Sequence, residues 1–178
     1  ISLRYFNAAG YDKKSRIKIP ENDSPNLIPK IMKVLSGEDK KLKVYGSDYD
    51  TKDGTCIRDY IHVTDLARAH ICALNYLKDN NKPLFLNIAT GNGYSVLDVI
   101  KEIERQSGIK VPIEFVKRRE GDPSVVISKS KHKKSPINWE PVNSNLESII
   151  ASVLLIYKIE KWDQYLLFLP FVKYTYVQ

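Results

Sequence analysis

Apolar positions along the chain fall into short blocks that alternate between extended and helical spacing. Ser2 to Asn7 (S-L-R-Y-F-N) reads as a short buried strand, and residues 8–24, polar and carrying Gly10, Pro20, Asn22 and Asp23, read as a loop. Leu27, Ile28, Ile31, Met32 and Leu35 predict a helix from about Pro25, with Pro29 in the tolerant first turn and Gly37 as the stop. Lys41 to Tyr45 is a candidate strand, residues 48–54 are rich in turn formers, and Cys56 to Val63 is extended again. Thr64 is the expected N-cap of a helix reaching about Leu77, with Leu66, Ala69, His70, Ala73, Leu74 and Leu77 on one face. Leu84 to Ala89 is a continuous apolar run of the kind found in fully covered strands. Ser95 caps a helix over Val96 to Gln106 that ends at Gly108, Ile113 to Val116 is a short strand, and a last helix runs from Asn145 to about Trp162. Strands and helices in alternation indicate an α/β fold. With no internal repeat, residues 1–178 read as a single unit, closed by an apolar, aromatic tail over about 163–178. That tail packs on the core, forms a sticky end, or is an aberrant terminus; the pattern leaves all three open.

Composition narrows the classes. At 43% hydrophobic and 28% charged the chain has the make-up of an ordinary globular protein rather than a disordered one. Cys56 and Cys72 cannot build a disulfide framework and lack metal-ligand spacing, so no metal is expected and a reduced, cytoplasmic setting is. The longest apolar run, Ile149 to Tyr157, falls far short of the ~20 residues that span a bilayer, so no membrane partner is expected. Residue 1 is Ile and the one methionine is Met32, which points to a processed or fragmentary chain. The net charge of +7 raises the question of nucleic acid. Its clusters at 117–119 and at Lys129, Lys131, Lys133 and Lys134 come with no nucleic-acid-binding motif, and a solvated basic surface explains the second.

Three segments place polar chemistry where a core would want apolar residues. Tyr5-Phe6-Asn7 delivers two rings and an amide at the C-terminal edge of a strand, where open α/β sheets bind ligands, although an ordinary strand end reads the same way. In Cys56 to Val63, Arg58, Asp59 and His62 stand among Ile57, Ile61 and Val63. A half-buried Arg needs an anion, either Asp59 beside it or the phosphates of a ligand suited to its planar fork. Arg118-Arg119-Glu120-Gly121-Asp122 is either a surface ion-pair turn or a site where one Arg meets phosphate while Asp122 orients a hydroxyl.

In order along the chain, L-R-Y-F-N, P-N-L, the run V-Y-G-S-D-Y-D-T-K-D-G-T-C-I-R-D-Y-I-H-V-T-D-L-A, N-I-A-T-G-N-G-Y-S-V-L-D-V-I and R-R-E-G-D closely resemble the UDP-glucose 4-epimerases, a family of extended short-chain dehydrogenases/reductases. The resemblance covers roughly residues 2 to 150, and the loop from Asp48 to Thr55 is its most specific part. It implies the C-terminal part of a Rossmann-type doubly wound sheet together with a smaller α/β substrate-binding domain. It also implies a reaction in which bound NAD takes hydride from carbon 4 of a hexose, the 4-keto sugar turns about its diphosphate link, and hydride returns to the other face; UDP-galactose and UDP-glucose are thereby interconverted. By position, Arg58 and Arg119 match the pair that clamps the UDP phosphates, and Asp122 the carboxylate on the uridine ribose. Asn7 and Asn26 match amides near phosphate and sugar, and Leu27 a neighbouring backbone contact. Lys43 and Tyr45 match the strand whose backbone and ring hold uracil, and Tyr5 the residue beside the nicotinamide. Val126 falls near the position that gates the hexose pocket, where a small residue implies acceptance of UDP-N-acetylhexosamines. The family is commonly homodimeric.

Departures set what to expect of these 178 residues. The glycine fingerprint that cradles a dinucleotide is absent, and the catalytic Tyr-x-x-x-Lys is expected upstream of residue 1. Tyr157 and Lys161 share that spacing by chance, in a chain of 11 tyrosines and outside the resembling region, so no catalytic residue is assigned here. The usual Asp before the Ser-Lys near 130 is Lys129, and Pro136 interrupts the helix expected after it. The chain is therefore expected to supply the UDP-sugar-binding half and to be inactive alone. The alternatives are a non-catalytic binding remnant or split-enzyme subunit, another extended nucleotide-sugar epimerase or decarboxylase, and, on net charge alone, an RNA-binding domain.

Overall fold

The computed structural model describes residues 1–21, 24–129 and 135–157. The cluster Lys131, Lys133 and Lys134, the apolar tail, and Lys161 lie outside the described residues. Eight strands and four helices run in the order β1 (Ser2–Tyr5), β2 (Asn7–Ala9), α1 (Leu27–Ser36), β3 (Leu42–Tyr45), β4 (Ile57–His62), α2 (Val63–Asn80), β5 (Phe85–Ile88), β6 (Gly93–Ser95), α3 (Val96–Ser107), β7 (Ile113–Val116), β8 (Val125–Val126) and α4 (Leu146–Leu154) among the described residues. Parallel pairing predominates: β1 with β5, β2 with β4, β3 with β7 and β8 with β4, while β6 runs antiparallel to β4.

Two apolar clusters support these sheets. The larger joins Ile31, Met32 and Leu35 of α1, Leu42 and Val44 of β3, Val99 and Ile103 of α3, and Ile149, Ile150 and Val153 of α4. The smaller sets Ala69 and Ala73 of α2 against Ile61, Ile88, Ile137 and Trp139. The Trp139 indole donates to the Asp65 carbonyl at 2.8 Å, which gives this large buried ring its polar partner.

Several expectations change in detail. The strand expected over residues 2–7 breaks at Phe6 into β1 and β2, which pair with different neighbours, and β1 is mostly exposed rather than buried, since among the described strands only β5 flanks it. The cap of α2 is His62, not Thr64: the His62 Nδ1 accepts the Thr64 N–H at 3.0 Å. The face that α2 buries runs through Leu66, Ala69, Cys72, Ala73 and Tyr76, whereas His70 and Leu74 point to solvent. Helix α1 begins at Leu27, two residues after Pro25. Ser95 caps α3 as expected, and Asp98 completes a capping box with it, each side chain bonding the other's backbone N–H. Strands β6 and β8 are too short to announce themselves by periodicity.

Candidate functional site

A cleft of about 1360 Å³ opens along the C-terminal ends of β1, β2 and β3 and takes in the first turns of α1 and α2. Its walls include Tyr5, Asn7, Asn26, Leu27, Lys43, Tyr45, Arg58, Arg119 and Asp122, so nine of the ten site residues expected from the resemblance meet in one place. Val126 is the exception. It sits half-buried in β8, in register with Arg58 of β4, and is not part of the wall that the described residues form.

The strand β4 builds the floor. Its Arg58 is three-quarters or more buried; Nη1 donates to the Ile57 carbonyl at 2.8 Å and Nη2 pairs with the Asp122 carboxylate. Arg58 and Asp59 form no internal pair. Asp59 instead accepts the backbone N–H of Thr90 at 2.9 Å, the Thr90 hydroxyl at 2.7 Å, the Gly91 N–H at 2.9 Å and the Ser128 N–H at 3.3 Å, so this buried carboxylate ties the 90–92 turn to the sheet. Asn7 donates its Nδ2 to the Asp59 carbonyl at 3.1 Å, which fixes the amide at the cleft edge.

The strand pair β3–β7 supplies one side. Lys43 stands exposed on β3, and Tyr45 at its end carries the Arg119 guanidinium over its ring at 4.0 Å. Arg118 turns the other way, over the Tyr49 ring at 4.2 Å, with Nε on Asp48 Oδ1 at 2.7 Å. The loop between β3 and β4 is thereby held from two directions, because Asp53 also accepts the Thr55 N–H at 3.0 Å and the Ser95 hydroxyl. Asn26 precedes α1 without capping it through its side chain, and Leu27 behind it begins the helix, so the positive end of α1 faces the cleft.

Burial pushes Tyr60 up to about 12 and raises Tyr49 and Cys56 above their ordinary values, so all three stay neutral. Burial likewise raises Tyr157, whose hydroxyl donates to the Glu21 carbonyl at 3.0 Å and accepts from Tyr11 at 3.4 Å. Arg58, Arg119 and the positive end of α1 equip the cleft to bind an anionic ligand. Among the described residues, no group of three His, Cys, Asp or Glu is set to hold a metal, and no helix is long and apolar enough to cross a membrane. Tyr11 and Tyr157 also line the cleft, a pairing the sequence does not announce because nothing local connects positions 146 apart.

Known proteins resemble the chain over most of its length. The family described as "NAD dependent epimerase/dehydratase family" matches residues 1–89. A UDP-glucose 4-epimerase of Halalkalibacterium halodurans is 39% identical over 150 residues, 84% of this chain but 45% of its own length, so the chain spans about half the length of the curated relatives it matches. The crystal structure of a UDP-glucose 4-epimerase from Stenotrophomonas maltophila, with bound NAD and formylated UDP-arabinopyranose, is 35% identical with a TM-score of 0.81, covering 92% of this chain and 48% of that one. A UDP-Glc/GlcNAc 4-epimerase from Campylobacter jejuni is 40% identical with a TM-score of 0.71, covering 87% and 47%.

Proposed function

We propose, from the premise that this chain belongs to the NAD dependent epimerase/dehydratase family, that it forms the UDP-sugar-binding part of a 4-epimerase acting on UDP-glucose and UDP-galactose. The observation that carries this reading is the meeting of Arg58, Arg119 and Asp122 in one cleft from segments more than sixty residues apart. Two guanidiniums and the positive end of α1 suit a diphosphate, a ligand whose charge is spread over several oxygens. A carboxylate at 122 suits the adjacent hydroxyls of a ribose. Uracil presents acceptor, donor and acceptor along one edge, the same chemistry as a peptide backbone. Strand β3 pairs on one side with β7, and among the described strands nothing pairs with its other side, which leaves backbone N–H and C=O groups beside Lys43 and Tyr45 for that edge.

NAD is the cofactor we propose for the whole reaction, but the residues here do not fit its pyrophosphate. Among the described residues no strand leads through a G-x-x-G-x-x-G run into a helix, and Tyr5, 53% exposed at the end of β1, is the residue that stands where the resemblance puts the nicotinamide. The chemistry of this chain is therefore anchorage: holding the UDP end firmly while leaving the hexose free to turn. Acceptance of UDP-N-acetylhexosamines, a homodimer and a cytoplasmic location belong to the same proposal for the whole protein. The unpaired Cys56 and Cys72 support the last of these.

Calorimetric titration of the 178-residue chain with UDP, UMP and ADP tests the reading. UDP should bind, more tightly than UMP because of the second phosphate and more tightly than ADP because of the base. Equal, weak affinity for all three, with steeply salt-dependent binding of RNA, would refute it in favour of a nucleic-acid surface.

A further inference from the structure

Tyr45 closes β3, opposite Val116 at the end of the parallel strand β7. Chain leaving β7 therefore passes across the end of β3, and its third residue, Arg119, comes to rest with its guanidinium carbon 4.0 Å from the centre of the Tyr45 ring. The approach is fixed from the other side by Arg118, stacked on Tyr49 and bonded to Asp48. Gly46 makes room for that: a Cβ there would stand 2.5 Å from the Tyr49 ring and 2.8 Å from the Arg118 side chain. Among the described residues, no carboxylate pairs with Arg119, in contrast to Arg58, whose Nη2 is engaged by Asp122.

That contrast decides what the ring does. A guanidinium held by a carboxylate spends one or two of its five in-plane N–H donors on the partner. A guanidinium held by a ring contacts it through the face of its plane and keeps the five donors of its edge for an incoming oxyanion. A ring also removes much of the rotamer freedom that a long exposed side chain would lose on binding.

We propose that Tyr45 is the positioning residue of Arg119, so that it governs binding of the phosphate end of a nucleoside diphosphate through that guanidinium, with one ring face already taken up before any base arrives. The proposal rests on the nucleotide reading given above and departs from the role in which the Tyr45 ring itself holds uracil.

A double-mutant cycle on UDP affinity, using the full chain, tests it. Tyr45→Leu should weaken UDP binding by about two- to fivefold, the size of an exposed cation–π contact. Tyr45→Phe, which keeps the ring, should restore it. In an Arg119→Ala background, Tyr45→Leu should cost nothing further; losses that simply add would show that Tyr45 acts on the ligand directly and overturn the proposal. A second readout needs no ligand: the Arg119 side-chain protons should carry an upfield ring-current shift that Tyr45→Leu abolishes and Tyr45→Phe keeps. Absence of that shift in the unsubstituted chain overturns the proposal as well. A chain that shows the shift but binds no UDP refutes the nucleotide reading, and the purpose assigned to Tyr45 with it, while additive losses in a chain that does bind UDP refute the positioning role alone.

Discussion

The Nε2 of His62 lies 3.2 Å from the hydroxyl of Ser152, linking the end of β4 to α4 across 90 residues. The neighbours fix where the protons of this contact sit. Nδ1 accepts the Thr64 N–H at 3.0 Å and so carries no proton. The Ser152 hydroxyl gives its own proton to the Ile149 carbonyl at 2.7 Å and accepts the Tyr11 N–H at 2.9 Å, so Nε2–H must donate to it. Neutral His62 thus uses both ring nitrogens, at 0% exposure. Burial, the leading cause, pulls its pKa below the ordinary value of 6.5. The unfolded chain then binds the proton more readily, so the stability from this group is complete above pH ~6.5 and is lost as pH falls below it toward the lower folded value. In a pH titration followed by NMR, the His62 ring signals should turn over below that value; a midpoint at or above it would contradict the assignment. Ser152→Ala should lower stability by about 1–3 kcal/mol in urea unfolding, because it strands the Tyr11 N–H and the His62 N–H together.

The same junction makes two glycines with one backbone angle unequal. Gly10 and Gly37 both have φ of +85°. A Cβ on Gly10 would sit 2.8 Å from His62 Cδ2 and 2.9 Å from the Ser152 hydroxyl, whereas one on Gly37 would meet nothing within 4 Å. Gly37→Ala should therefore cost only the left-handed strain, about 1–2 kcal/mol. Gly10→Ala carries that strain and also displaces a buried hydrogen-bonded ring, and should cost at least ~3 kcal/mol. Similar shifts in thermal unfolding for the two variants would rule out the close approach as the cause.

The same local physics decides how much of this the sequence could announce. Helices α1 and α3 were legible because each carries apolar residues at helical spacing and a glycine stop, and α3 also has Ser95 at its N-cap. The cap of α2 was not, since a His accepting through Nδ1 at the N-cap is outside the usual Ser, Thr, Asp and Asn choices. Arg58, Asp59 and His62 stood out as polar residues in an apolar strand, and all three are engaged, but their partners Asp122, Thr90 and Ser152 lie 31 to 90 residues away. Composition flags such a residue and leaves its partner to the tertiary fold. The exposure of β1 was equally hidden, because cover is a property of neighbours and not of the strand.

Asp65 shows what a buried carboxylate does when every lone pair is used. Its Oδ2 accepts the backbone N–H of Val142 at 3.0 Å and of Asn143 at 2.6 Å and the Ser144 hydroxyl at 2.7 Å; Oδ1 accepts Asn143 Nδ2 at 3.0 Å and Arg68 at 3.3 Å. Burial pushes this carboxyl up, but the bonds from Ser144, Asn143 and Val142 outweigh it and hold the pKa below 3.8. Its contribution is present above pH ~4 and fades as pH falls through the lower folded value. Asp65→Asn sets an amide N–H₂ against donors that need an acceptor, and should cost about 3 kcal/mol or more. Hydrogen exchange at Val142 to Ser144 should accelerate more than elsewhere; uniform acceleration would mean that Asp65 supports the fold generally and not this turn.

Arg58 is the second guanidinium of the proposed phosphate site, with two of its five N–H donors engaged by Ile57 and Asp122 and the others left for a ligand. It is anchored at one end of its fork by the Ile57 carbonyl and at the other by Asp122, and its side chain, 16% exposed, lines the cleft. Charge-assisted bonds from such a group to phosphate contribute about 1.5–3 kcal/mol, so Arg58→Ala should weaken UDP binding by about ten- to a hundredfold. Arg58→Lys keeps the charge and loses the fork, and should recover only part of that loss. If the lysine variant binds UDP as well as the arginine does, Arg58 acts as a point charge and the bidentate geometry at 58 is not what holds the diphosphate. If the alanine variant binds equally well, the phosphates lie elsewhere in the cleft, and Arg58 serves the fold through Asp122 alone.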